Sequence, residues 1–121
     1  MPSRLVLLVD DDPNILRLVG LGLQRSGFEV VTAIGAEQAL QIHGERTVDA
    51  VVLDNGLGAV SGLELLAELR KTSPKVAAIF TSGAITKAME DGAKQFGAVT
   101  LEKPYPLRTL VEAIETLLNP G

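Results

Sequence analysis

The sequence predicts an α/β fold, a parallel β-sheet with helices on both faces, formed by residues 1–121 as a single domain. Along the 121 residues, five short apolar runs alternate with five amphipathic segments of helical periodicity. Such alternation produces right-handed βαβ units and a parallel sheet. The runs are continuous rather than alternating in polarity, which is typical of strands that are covered on both faces.

The predicted strands are short and rich in Val, Leu, Ile, Ala and Phe. β-Branched and aromatic residues favour strands, and a run of four to six residues is too short for a typical helix. We predict strands at residues 5–9, 28–33, 50–53, 76–80 and 98–101.

The first two helices have clear start signals. Asp12 is a favoured N-cap residue, Pro13 suits the first helical position, and Ser26-Gly27 ends the first helix. Its apolar face consists of Ile15, Leu16, Val19 and Leu23. The second helix begins at Gly35, and its predicted apolar face consists of Ala36, Ala39, Leu40 and His43.

Three further helices are predicted at residues 62–71, 84–94 and 106–118. The first of these has leucines facing inward, and Ser73-Pro74 ends it. The helix at 84–94 has only a small apolar face, formed by Ala84, Ala88, Gly92 and Ala93. The last has a continuous apolar face of Leu107, Leu110, Val111, Ile114 and Leu117.

Composition excludes several classes of protein. The chain has no cysteine, which excludes disulfides, thiolate metal sites and cysteine nucleophiles. With 3% aromatic residues and a net charge of −4, we expect no direct binding of nucleic acid. No apolar run approaches the ~20 residues that span a bilayer. We therefore expect a soluble, cytoplasmic domain that does not contact a membrane.

Polar residues follow four of the predicted strands. They are Asp10-Asp11-Asp12, Asp54, Thr81-Ser82 and Glu102-Lys103-Pro104. In an open parallel sheet, ligands bind beyond the carboxyl ends of the strands. The fold is therefore expected to bring these residues together.

The residue types indicate phosphoryl chemistry. Asp10, Asp11 and Asp54 would repel one another unless a cation offsets their charge, and an all-oxygen site suits Mg²⁺ or Mn²⁺ rather than zinc. Lys103, the Thr81 hydroxyl and backbone N–H groups after Asp54 are able to bind phosphoryl oxygens. Asp54 would then be the nucleophile and form an aspartyl phosphate.

Taken singly, most of these residues have an ordinary structural explanation, and Asp54 is the exception because it directly follows a strand that is expected to be buried. Asp10 and Asp11 fit a solvated turn, Thr81 a strand-to-helix turn, and Lys103 the protein surface. His43, the one histidine of the chain, is assigned no role. The joint occurrence of the four groups at strand ends favours a site.

Over residues 5–118 the sequence resembles the receiver (phosphoacceptor) domain of two-component response regulators. Four segments carry the resemblance: residues 7–13, Val52-Leu53-Asp54 with Gly62 downstream, residues 80–83, and Lys103-Pro104-Tyr105. It implies a flavodoxin-like fold with strand order 2-1-3-4-5. It also implies a phosphorylation-controlled switch rather than an enzyme that turns over a metabolite.

The resemblance assigns roles to particular residues. Asp54 would accept a phosphoryl group from a phosphohistidine on a sensor histidine kinase or histidine phosphotransfer protein. Asp10 and Asp11, with Asp54 and the Gly56 backbone carbonyl, would hold Mg²⁺. Thr81 would be the switch hydroxyl, Lys103 would pair with the phosphoryl group, and the Lys103–Pro104 bond would be cis. An unknown effector would bind the face formed by the last two helices and the fifth strand.

The sequence departs from the family pattern in three places, which are Gly58, Thr100 and Gly83. Gly58 stands where a proline is usual, and Thr100 where an aromatic residue often reports the movement of the switch hydroxyl. Gly56 and Gly83 occupy two positions that influence water access in the family. Without side chains there, we expect an unshielded, short-lived aspartyl phosphate.

Three other functions fit parts of the sequence. A pseudo-receiver would act as an interaction module without phosphorylation, but it would be free to lose the site residues that this chain keeps. A Mg²⁺-dependent phosphatase needs a second general acid, for which Gly56 occupies the natural place. A flavodoxin needs a phosphate loop where this chain has three aspartates.

Overall fold

A computed structural model describes residues 4–58 and 60–119. Five parallel strands form one sheet in the order β2-β1-β3-β4-β5, which confirms the predicted fold. The elements are β1 Leu5–Val9, α1 Pro13–Arg25, β2 Glu29–Ala33, α2 Ala36–Glu45, β3 Ala50–Asp54, α3 Gly62–Thr72, β4 Ala77–Ser82, α4 Lys87–Gln95, β5 Val99–Glu102 and α5 Leu107–Leu118.

The sheet separates two layers of hydrophobic core. Leu7, Val51 and Leu53 lie on the face that packs against α2 and α3. Val6 and Val52, their neighbours along the same strands, lie on the face that packs against α1 and α5. Successive strand residues point to opposite faces, so an entirely apolar strand supplies both layers.

The apolar face of α2 differs from the prediction. Ala39 is buried, but Leu40 is 39% exposed, and Ile42 packs against the core instead. Ala36 and Ala39 pack against the core as predicted, and only Leu40 is misplaced, because the position of α2 on the sheet turns Ile42 toward the core in its place. Leu40 therefore remains available on the surface.

Helix α4 begins three residues later than predicted, at Lys87 instead of residue 84. The Oγ1 atom of Thr86 accepts a hydrogen bond from the N–H of Met89 at 3.1 Å and caps the helix. Ala84 and Ala88 are exposed, and Ala93 is the buried residue of the predicted apolar face. Residues 83–86 form a loop between the sheet and α4.

None of the helices in residues 4–58 and 60–119 has the length and apolar character needed to cross a membrane.

Candidate functional site

The strand ends bring four of the predicted residues together at one edge of the sheet. Asp54 is the last residue of β3 and pairs in register with Thr81 of β4. Val9 pairs with Leu53, so Asp10 follows β1 directly beside Asp54. Lys103 follows β5, and its backbone N–H donates to the Ser82 carbonyl at 2.8 Å. The parallel topology alone accounts for this meeting.

Lys103 bridges the two buried carboxylates. Its Nζ atom lies 2.8 Å from Asp54 Oδ1 and 2.9 Å from Asp10 Oδ2. Asp10 and Asp54 are only 3% and 8% exposed. Burial by itself lowers the pKa of Lys103, but hydrogen bonds to Asp54 and Asp10 outweigh it, so the pKa is raised above its ordinary value. Lys103 is therefore a charged member of the site and not a surface lysine.

The Asp54 carboxylate has protein partners on both oxygens. Its Oδ1 atom accepts from Lys103. The Thr81 hydroxyl, which has one proton to donate, lies 3.4 Å from this Oδ1 atom and 3.3 Å from the Leu53 carbonyl oxygen. The Oδ2 atom of Asp54 accepts from the Gly56 N–H at 3.0 Å. A Cβ atom on Gly56 would lie 3.3 Å from Oδ2, so a glycine keeps this approach open.

The three aspartates fit a divalent cation. One carboxylate oxygen from each of Asp10, Asp11 and Asp54 lies within 4.8 Å of the others. Asp11 is exposed, whereas the other two are buried, so the cluster is open to solvent on one side. This donor set consists of oxygen atoms only, as Mg²⁺ or Mn²⁺ prefers.

Asp10 is held in place by its own turn. Its Oδ1 atom accepts from the Asp12 N–H at 2.9 Å, while Oδ2 accepts from Lys103. Asp12 caps α1 by accepting from the Asn14 N–H at 2.9 Å, which confirms its prediction as an N-cap. The Asp10 carboxylate is therefore buried and held by hydrogen bonds, whereas the Asp11 carboxylate is exposed. In an ordinary solvated turn, both carboxylates would be exposed.

Thr81 is a strand residue and not part of a turn. It is 1% exposed within β4, and β4 continues through Ser82. The turn that follows uses the Ser82 hydroxyl, which accepts from the Ala84 N–H at 3.3 Å. The turn after β4 therefore uses the Ser82 hydroxyl, while the Thr81 hydroxyl is directed at Asp54.

Glu102 makes a contact that the sequence did not indicate. Its Oε1 atom accepts from the Ile85 N–H at 2.9 Å and ties the end of β5 to the loop before α4. The sequence shows that Glu102 stands at the end of a predicted strand, directly before Lys103. A hydrogen bond from a carboxylate to a distant backbone N–H has no characteristic residue spacing, so the sequence does not predict it. The Lys103–Pro104 peptide bond beside it is cis.

The positions that depart from the family pattern have definite surroundings. Thr100 of β5 is half-buried and pairs with Phe80 of β4. Gly58 has φ +84°, a left-handed conformation that glycine adopts without strain. Gly83 is exposed, and a Cβ atom there would meet no heavy atom within 4 Å.

His43 does not take part in the site. It lies near the C-terminal end of α2, where its Nε2 atom is 2.7 Å from the Ser73 hydroxyl. Burial lowers the pKa of this histidine. The expectation that it has no role in the site agrees with this location.

A 2-1-3-4-5 sheet with an acidic cluster, a strand-end Asp, a Thr and a Lys at its carboxyl edge defines a receiver-type signalling domain. The family model described as the response regulator receiver domain matches residues 6–115, and the chain belongs to this family.

Similar proteins agree with this assignment. The chain is 36% identical to the transcriptional regulatory protein GlrR of Escherichia coli K12 and 34% identical to PrrA of Mycobacterium tuberculosis, in each case over 94% of its length. It spans only 26% of GlrR and 49% of PrrA.

Solved structures show the same fold. A receiver domain protein of Methanospirillum hungatei superposes with a TM-score of 0.94 at 28% identity, over 98% of this chain and 96% of that one. A response regulator of Burkholderia pseudomallei with a phosphorylated aspartic acid, calcium ion and citrate gives 0.88 at 27% identity, over 98% and 70%.

Proposed function

We propose that the chain is a phosphorylation-controlled switch in which Asp54 receives a phosphoryl group from a phosphohistidine in a Mg²⁺-dependent reaction. The main observation behind the proposal is an ion-paired cluster at the carboxyl ends of the strands. In this cluster, the Lys103 ammonium lies within 2.9 Å of carboxylate oxygens of both Asp54 and Asp10. Burying two carboxylates is unfavourable unless a cation pairs with them, and such clusters often mark functional sites.

Each residue has a defined task in this reaction. An Asp54 oxygen attacks phosphorus, the bond to the donor imidazole nitrogen breaks, and the electron pair leaves with the imidazole. The Lys103 ammonium and the Thr81 hydroxyl, both on the Oδ1 side, then bind phosphoryl oxygens in place of the carboxylate. Asp10, Asp11, Asp54 and the Gly56 carbonyl would hold Mg²⁺. When bound, the cation would neutralise negative charge on the phosphoryl group.

The partners follow from the same proposal. The donor is a sensor histidine kinase or a histidine phosphotransfer protein, and the output is an effector that recognises the phosphorylated form. We place the effector on the face of α4, β5 and α5. β5 is an edge strand of the sheet, and Glu102 links it to the loop that leads from Thr81 to α4. We expect a movement of Thr81 to be transmitted to α4 through this loop. This route does not require an aromatic residue at position 100.

The phosphorylated aspartate of the Burkholderia pseudomallei response regulator supports phosphoryl acceptance over the pseudo-receiver alternative. The pairing of Lys103 with both carboxylates supports it too, since a constitutive interaction module gains nothing from two buried carboxylates paired with a partly buried lysine.

Incubation with acetyl phosphate and Mg²⁺ is expected to add one phosphoryl group, measured by intact mass. Asp54→Asn should abolish the gain because it removes the nucleophile, and a chelator should abolish it in the wild type. Asp12→Asn is the matched control. Asparagine also caps helices, so uptake should persist. A wild type that gains no mass would favour the pseudo-receiver.

The lifetime of the phosphorylated form should depend on Gly83. A leucine in its place has room, because a Cβ atom there would meet no heavy atom within 4 Å, and it would exclude water from the phosphoryl group. We expect Gly83→Leu to slow the loss of phosphate after donor removal, followed by mass spectrometry over time. Gly44→Leu, at another exposed glycine with an open Cβ position, controls for the loss of a glycine. Equal lifetimes of Gly83→Leu and wild type would contradict the shielding argument.

A further inference from the structure

Helices α2 and α3 border an apolar groove that the phosphorylation chemistry does not use. Two adjoining clefts of about 550 Å³ each share Ala36, Glu37 and Val60 in their linings. Ile34, at 63% exposure, Leu40 and Val60 are large apolar residues that the fold leaves exposed here. They do not contribute to the core, so their burial by a partner would release ordered water and favour binding.

The rim of the groove carries one sign of charge. Glu37, Glu64 and Glu68 line it, and its lining contains no lysine or arginine among the residues that the structure describes. Glu68 contacts Lys71 at 2.8 Å, but both side chains are more than half exposed, so this pair is weak and exchangeable. An apolar floor with an acidic rim is complementary to an apolar surface flanked by basic residues.

Hydrogen bonds fix the two ends of the groove. The Gln38 side chain accepts from the Ile34 N–H at 2.8 Å and holds the turn that displays Ile34. At the other helix, Ser61 and Glu64 form a capping box, with the Ser61 hydroxyl 3.1 Å from the Glu64 N–H. The groove is therefore preformed, which lowers the entropic cost of binding.

We propose that this groove docks an amphipathic helix of a partner protein, with apolar residues on one face and Lys or Arg flanking them. A helix lying between α2 and α3 would insert anchors at i, i+3 or i+4 and i+7 against Ile34, Leu40 and Val60. Its basic residues would pair with Glu37 and Glu68. The groove lies apart from the α4–β5–α5 face and needs no phosphoryl group on Asp54.

A labelled peptide of about five helical turns, with leucines on one face and lysines flanking them, tests this surface. Fluorescence anisotropy with the unphosphorylated chain should give saturable binding, and backbone amide shifts in NMR should change along α2, α3 and residues 34–41. Combined Ile34→Ser and Leu40→Ser should weaken binding about tenfold or more, as loss of central apolar anchors does. Glu37→Lys should weaken it as well.

Matched variants separate this site from non-specific attraction. Leu18→Ser removes a leucine that is as exposed as Ile34 but lies on α1, and Glu112→Lys reverses an exposed charge on α5. Both should leave the Kd unchanged, and a peptide with glutamates in place of lysines should not bind. Amide shifts centred elsewhere, or equal binding by the Ile34/Leu40 double variant, would overturn the proposal. Sedimentation showing a dimer that Leu40→Ser dissociates would also overturn it, because a second copy would then fill the groove.

Discussion

Lys103→Met is expected to lower the free energy of unfolding by about 3 kcal/mol at pH 7 in metal-free buffer, the low end of the range for breaking a buried ion pair. The substitution keeps an unbranched apolar stem but leaves the Asp10 and Asp54 carboxylates, 3% and 8% exposed, without a cation. The low end applies because the Lys103 side chain is still 25% exposed. Urea unfolding followed by circular dichroism measures the change.

Two comparisons identify the electrostatic cause. Lys71→Met removes a surface pair of the same N–O distance, 2.8 Å, and should cost less than about 0.5 kcal/mol. Adding Asp54→Asn to Lys103→Met should restore part of the lost stability, because one uncompensated charge disappears. Mg²⁺ should stabilise Lys103→Met more than the wild type, since no ammonium group competes for the carboxylates. A Lys103→Met variant as stable as Lys71→Met would refute the bridging role.

Gly62→Ala is expected to destabilise the fold by about 3 kcal/mol, at the upper end of the usual cost of overpacking. A Cβ atom at this first residue of α3 would lie 2.5 Å from the Asp54 carbonyl oxygen, 3.0 Å from Phe80 and 3.1 Å from the Asn55 backbone. Two of these contacts are with the backbone of Asp54, the proposed phosphoryl acceptor, and of its neighbour Asn55. The clash therefore also displaces Asp54, and phosphoryl uptake should fall roughly tenfold or more, since a small misplacement of reacting groups is costly.

Gly44→Ala is the matched control for the second prediction. Gly44 lies in α2, where a Cβ atom would meet nothing within 4 Å, so alanine should stabilise the protein by about 0.5–1 kcal/mol through its better helix propensity. Denaturant curves and acetyl phosphate uptake of the two variants, measured side by side, give both effects. If the free energy of unfolding of Gly62→Ala is within about 0.5 kcal/mol of the wild-type value, the close approach of α3 to β3 does not require a glycine at position 62.

The sequence predicted most of the helices and strands correctly, because the residues that start a helix or form a buried strand lie next to one another along the chain. Asp12-Pro13 marks the start of α1, and uninterrupted apolar runs mark strands covered on both sides. The errors arose where tertiary contacts choose between local options. Leu40 satisfies the helical spacing as well as Ile42 does, and only the position of α2 on the sheet decides which one is buried. Ala84 is compatible with a helix, yet Thr86 provides the cap.

The sequence by itself determined which residue types stand at the strand ends, and a parallel sheet necessarily gathers those ends at one edge. That was enough to predict Asp10, Asp54, Thr81 and Lys103 as one site. Only the tertiary structure decided that Lys103 bridges the two carboxylates, that Glu102 holds the Ile85 N–H, and that α2 and α3 leave an acidic, apolar groove. These are distances between side chains remote in sequence, and no periodicity or spacing along a chain encodes them.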